Sequence, residues 1–131
     1  METSVDFKSS LFKPFLPEDS QVNPHVYGAE LSYWLCKKLV EKNVITTYPN
    51  NEDWGWFIEY FVDDNEYWLC CSNSDESGEE WRCFLQPQSK NFFGTKKAPV
   101  TLAKLLLMAL REILEETEGI SDIKWSNDYD T

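Results

Sequence analysis

With 131 residues, 42% of them hydrophobic and 15% aromatic, the chain is sized for one domain with a substantial core, which excludes disorder over most of its length. A net charge of −11, from 12 basic and 23 acidic residues, argues against direct binding to nucleic acid or an anionic membrane. No run approaches the roughly 20 apolar residues of a membrane-spanning helix, and Met1 to Lys13 lacks the apolar stretch of a secretion signal, so a cytoplasmic protein is expected.

Residues 1–22 contain Pro14 and Pro17 and read as an N-terminal arm carrying Phe7, Phe12 and Phe15, ahead of a single domain over 23–131. Asn23–Pro24 has the form of a helix cap followed by proline in the first turn. Tyr27, Leu31, Trp34, Leu35 and Leu39 then recur at helical spacing, and Asn43 suits a left-handed stop, which predicts a helix over 24–42. Val44–Tyr48 is β-branched and reads as a first strand ended by Pro49. From Trp54 to Val62 the even positions are apolar and Gly55, Glu59 and Asp63 fall on the odd face, the pattern of a half-buried strand. Asp63-Asp64-Asn65 is a tight hairpin connection to a strand over Glu66–Ser72. Trp81, Cys83 and Leu85 alternate with Arg82, Phe84 and Gln86 in a further strand ending at Pro87. After a loop over 88–98, Pro99 opens a second helix with a broad apolar stripe (Leu102, Leu106, Ala109, Leu110, Ile113, Leu114), Gly119 is a natural stop, and Ile120–Trp125 adds a short final strand. The order α-β-β-β-β-α-β predicts an α+β fold, a four- to five-stranded antiparallel meander flanked by two helices on one face.

Chemistry-bearing motifs are sparse. Cys36, Cys70, Cys71 and Cys83 include no C-x-x-C pair, and His25 is the one histidine, so the cysteines read as small buried apolar residues and neither a metal site nor a cofactor is expected. Asn73 to Gly78 has the outline of a calcium loop, but its twelfth position is Phe84, where a bidentate Glu is required. Lys90 to Lys97 interleaves cations with Phe92 and Phe93 but lacks phosphate-loop glycine spacing. Glu52 and Asp53 before Trp54 and Trp56 have two readings: an acid/base pair beside a sugar-stacking platform, or a strand start with both tryptophans in the core. No serine or cysteine lies in a nucleophile-elbow context.

Charge is distributed unevenly. Residues 43–80 hold ten carboxylates (Glu52, Asp53, Glu59, Asp63, Asp64, Glu66, Asp75, Glu76, Glu79 and Glu80) and no Lys or Arg, whereas 81–111 hold six basic residues and no Asp or Glu. Such a block is either a solvated face that confers solubility or an electrostatic footprint for a basic partner. Glu115, Glu116 and Glu118 end the second helix against its macrodipole and add to the negative charge.

The run Tyr48-Pro49-Asn50-Asn51-Glu52-Asp53-Trp54-Gly55-Trp56, after a helix containing Gly28-Ala29-Glu30-Leu31-Ser32-Tyr33-Trp34-Leu35, resembles a small uncharacterised bacterial protein family with an E-D-W-G-W core. In size, acidity and helix–sheet–helix order the chain is similar to acidic immunity proteins of polymorphic toxin systems and to acidic export chaperones of type III secretion. These resemblances carry no functional residues across. The acidic footprint, together with the likeness to immunity proteins, points to a non-enzymatic protein-binding module, an immunity or inhibitor protein occluding a basic toxin or enzyme; the likeness to export chaperones gives a dimeric secretion chaperone as one alternative, and Glu52, Asp53, Trp54 and Trp56 give a small-ligand or carbohydrate-active enzyme as another. The expected partner-binding residues are Glu52, Asp53, Trp54, Trp56, Asp63, Asp64, Glu66, Asp75, Glu76, Glu79 and Glu80, in a monomer or homodimer that contacts neither nucleic acid nor membrane.

Overall fold

A computed structural model describes residues 1–90 and 96–127. Its elements are β1 (Ser4–Ser9), α1 (Ala29–Glu41), β2 (Asn50–Glu52), β3 (Gly55–Val62), β4 (Asn65–Asn73), β5 (Glu80–Pro87), α2 (Lys104–Glu116) and β6 (Ile120–Ser126), with short 3-10 turns at Glu18–Ser20 and Val100–Ala103. The strands form one antiparallel sheet in the order β2-β3-β4-β5-β1-β6. The α+β class and the antiparallel sheet are as the sequence predicts, with six strands in place of four or five.

Two strands form where none is predicted, β1 in the N-terminal arm and β2 in the residues after Pro49, and one predicted strand is missing. β1 lies inside the sheet, between β5 and β6, and its Val5 and Phe7 are buried while Asp6 and Lys8 face the other way. Those six residues carry a strand's period of two, whereas Pro14 and Pro17 after them suit irregular backbone. The strand predicted over Val44–Tyr48 is absent. That stretch instead runs beside β3 on irregular backbone, where Thr47 N–H donates to Glu59 O (3.0 Å) and Glu59 N–H donates to Thr47 Oγ1 (2.9 Å).

Helix α1 starts five residues later than predicted, because tertiary contacts fix its entrance. Asn73 accepts a hydrogen bond from Tyr27 N–H (3.0 Å) and donates to His25 O (2.9 Å), which holds His25 at φ 64 and Gly28 at φ 134. A Cβ on Gly28 would stand 2.8 Å from the Cys71 carbonyl oxygen, so glycine is required for that approach. At its far end Asn43 does adopt the left-handed conformation, φ 63.

Leu31, Leu35 and Leu39 of α1 and Leu106, Leu110, Ile113 and Leu114 of α2 join Val5, Phe7, Ile58, Tyr60, Tyr67, Leu69, Trp81, Cys83 and Leu85 in one buried cluster. Both helices therefore pack on a single face of the sheet. Trp81 is fully buried there, its indole N–H donating to Ser9 O at 3.0 Å. The opposite sheet face has neither α1 nor α2 above it.

Candidate functional site

The sheet face away from the helices is built by the residues that alternate with the core. On β3 these are Phe57, Glu59 and Phe61; on β4 they are Glu66, Trp68, Cys70 and Ser72; on β5 they are Arg82, Phe84 and Gln86. Phe57 stacks on Trp68 with ring centroids 3.8 Å apart and planes at 11°, and Trp54 lies against Phe84 at 5.6 Å. These rings roof small residues: Cys70 and Ser4, in register with Phe84 on either side, are fully buried. Burial pushes the Cys70 thiol well above its ordinary value, so it is a packing group and not a nucleophile. Phe61 remains 57% exposed at the end of this face.

The ten carboxylates of residues 43–80 do not form one patch. Antiparallel pairing sets Trp56 opposite Cys71 and Val62 opposite Asn65, so the β2–β3 and β4–β5 connections lie at one end of the sheet and the β3–β4 turn at the other. Glu52, Asp53, Asp75, Glu76, Glu79 and Glu80 occupy the first end, where Glu79 and Glu80 are paired with lysines. Lys8 pairs with Glu80 (3.3 Å), Lys13 with Glu79 (3.2 Å) and His25 Nδ1 approaches Glu76 (3.5 Å). Asp75 accepts from the Ser77 hydroxyl (2.6 Å) and amide (2.9 Å), which lowers its pKa. The loop resembling a calcium site thus spends its polar groups on itself, and no cluster of metal-holding side chains occurs among the described residues.

The second end is different. Asp63, Asp64 and Glu66, joined by Glu59, have no Lys, Arg or His within ion-pair distance among the described residues. Trp68 Nε1 donates to Glu66 Oε2 at 2.9 Å and fixes that carboxylate. Glu59 sits diagonally across the strand pair from Glu66. Burial beside the rings, and then the hydrogen bond and charge of Glu66, raise the Glu59 pKa above the ordinary carboxylate value. Phe61, Asp63, Asp64 and Glu66, with Ser89 and Lys90, line an open cavity of about 470 Å³.

Trp54 and Trp56 face opposite sides of the sheet. Trp54 is 37% exposed on the face away from the helices, whereas Trp56 lies on the helical side, within 3.3 Å of where a Gly28 side chain would begin. The two rings therefore form no common stacking platform beside Glu52 and Asp53, and the pairing needed by the carbohydrate reading is not assembled. Gly55 between them is tightly placed, because a Cβ would stand 2.5 Å from the Cys71 carbonyl oxygen. The Lys90–Lys97 motif falls largely on residues 91–95, outside the described residues.

Glu59, Phe61 and Trp68 were not among the expected binding residues. Their signal was present in the odd positions of β3, where Phe57 and Phe61 make the outward face amphipathic instead of polar. Compared with family models, curated proteins and solved structures, the chain matches none. No helix among the described residues is long and apolar enough to cross a membrane.

Proposed function

We propose that this chain is a non-enzymatic protein-binding module of the immunity or inhibitor kind, which covers a cationic cleft on a toxin or enzyme with the β3–β4 end of the sheet face away from its helices. The observation that carries the reading is the exposed Phe61 set among Glu59, Asp63, Asp64 and Glu66, four carboxyl groups lacking a cationic partner among the described residues. Unanswered charge beside an exposed ring costs the isolated chain electrostatic repulsion and apolar exposure, and a cationic partner relieves both. The carboxylates accelerate and orient the encounter, while Phe61 supplies the desolvated anchor that slows dissociation. A lysine or arginine set against Glu59 and Glu66 neutralises the pair and draws the raised Glu59 pKa back down. Within the expected binding set, Asp63, Asp64 and Glu66 form this surface, and Glu76, Glu79 and Glu80 serve internal pairs.

The test places a photo-crosslinking amino acid at Phe61 in living cells, with the exposed Phe15 as a control position. The expected result is a discrete adduct from position 61 to a basic protein, lost in an Asp63→Asn/Asp64→Asn/Glu66→Gln variant. Purified association should slow by about tenfold or more between low and high salt. An adduct that survives the charge-removed variant, or an association rate indifferent to salt, refutes the reading.

A further inference from the structure

The side of α2 that faces away from the core carries a charge pattern that makes no sense for a solitary helix. Lys104 stands in its first turn and Glu115 and Glu116 in its last, with no acidic residue at the start and no basic residue at the end. Each of these charges opposes the helix macrodipole, which favours anions at the N-terminus and cations at the C-terminus. Between them, Leu105 is 66% exposed and Met108 50% exposed. Lys104, Leu105, Met108, Arg111, Glu112 and Glu115 share one outward face, opposite the buried stripe of Leu106, Leu110, Ile113 and Leu114, and the Arg111 charge on it is already met by Glu2 at 3.2 Å, with the guanidinium over the Trp125 ring. Glu116 is held by Lys42 at 3.0 Å, but Lys104, Glu112 and Glu115 have no ion-pair partner among the described residues.

We propose that this face binds a second copy of the chain, the two α2 helices lying antiparallel about a dyad near Met108. That arrangement is self-complementary. Lys104 of each copy meets the Glu112–Glu115 turn of the other, and the exposed leucine and methionine meet at the centre. Each macrodipole also runs beside one of opposite sense. Charges that are misplaced in one helix become correctly placed in the pair, because the negative end of each helix lies by the basic start of its neighbour. The isologous geometry closes at two copies. One 13-residue helix buries less than a standard interface, which makes this a weak, concentration-dependent association. The surface lies on the helical side of the sheet and is independent of the Phe61 site.

Sedimentation equilibrium of the full chain from roughly 5 to 500 µM tests this. The mass should rise from 15.4 kDa toward twice that value, and Met108→Glu should hold it at 15.4 kDa throughout. Lys104→Glu should weaken the dimer by about tenfold or more, and adding Glu112→Lys with Glu115→Lys should restore it to within about threefold. All these residues are exposed, and thermal melts of dilute samples confirm that each variant folds. A mass of 15.4 kDa at every concentration overturns the proposal. So does a dimer that survives Met108→Glu, one broken by Phe61→Glu instead, or a charge swap that fails to restore what Lys104→Glu removes.

Discussion

Replacing Asp63–Asp64 with Asn–Gly sets the folding preference of the β3–β4 turn against the charge it carries. Both central residues have positive φ, 49° at Asp63 and 63° at Asp64, as a type I′ hairpin requires. A left-handed conformation costs an L-residue about 1–2 kcal/mol, somewhat less for aspartate, and glycine escapes nearly all of it. Neither aspartate side chain makes a hydrogen bond or ion pair among the described residues that would be lost; the Asn65 side chain reaches the Val62 and Asp63 carbonyls, which the substitutions leave in place. The double variant should therefore be more stable by about 1 kcal/mol, a rise of roughly 3–6 °C in melting temperature for a domain of this size. Urea unfolding at neutral pH reads the gain as a higher midpoint at unchanged slope. Association with the basic partner should become slower and less dependent on salt in the same variant. A variant no more stable than the natural sequence refutes the reasoning about the turn. Unchanged association kinetics refute the role given to its charge.

Glu59→Gln tests the carboxyl pair through pH. A carboxyl whose folded pKa is raised lends stability below its ordinary value of 4.5 and loses it as pH climbs through the folded value, so the natural chain should weaken over that window. The variant should be the more stable of the two at neutral pH, with the gap closing by about pH 4; a pH-independent gap would show that burial and Glu66 do not raise the Glu59 pKa in the folded chain. Trp81→Phe removes the buried bond to Ser9 O and leaves a void beside Phe12, which should cost about 2–4 kcal/mol by denaturant titration. A loss under 1 kcal/mol, roughly, would mean that the core repacks around the smaller ring. Gly28→Ala meets both a positive φ and the Cys71 carbonyl, and a loss of about 2–4 kcal/mol is expected from the same titration. Little or no loss would show that the backbone before α1 can relax.

Local pattern by itself determined much of this protein. Period-two alternation marked β3 and β5, and helical spacing marked α1 and α2, because each element must bury one face and the residue types record which. The conformation of Asn43 followed from its own chemistry. The starting point of α1 did not, since Asn73, 46 positions away from Tyr27, sets it through a side-chain clasp. The sequence also concentrated negative charge in residues 43–80, but proximity along the chain is not proximity in space. Hairpin pairing sends successive connections to opposite ends of the sheet, which parted Asp63, Asp64 and Glu66 from the remaining acids, while β1 and the segment that follows it brought Lys8 to Glu80 and Lys13 to Glu79. Only tertiary structure decided which carboxylates were left without cations, because strand pairing and packing join residues whose separation along the chain no local preference can encode.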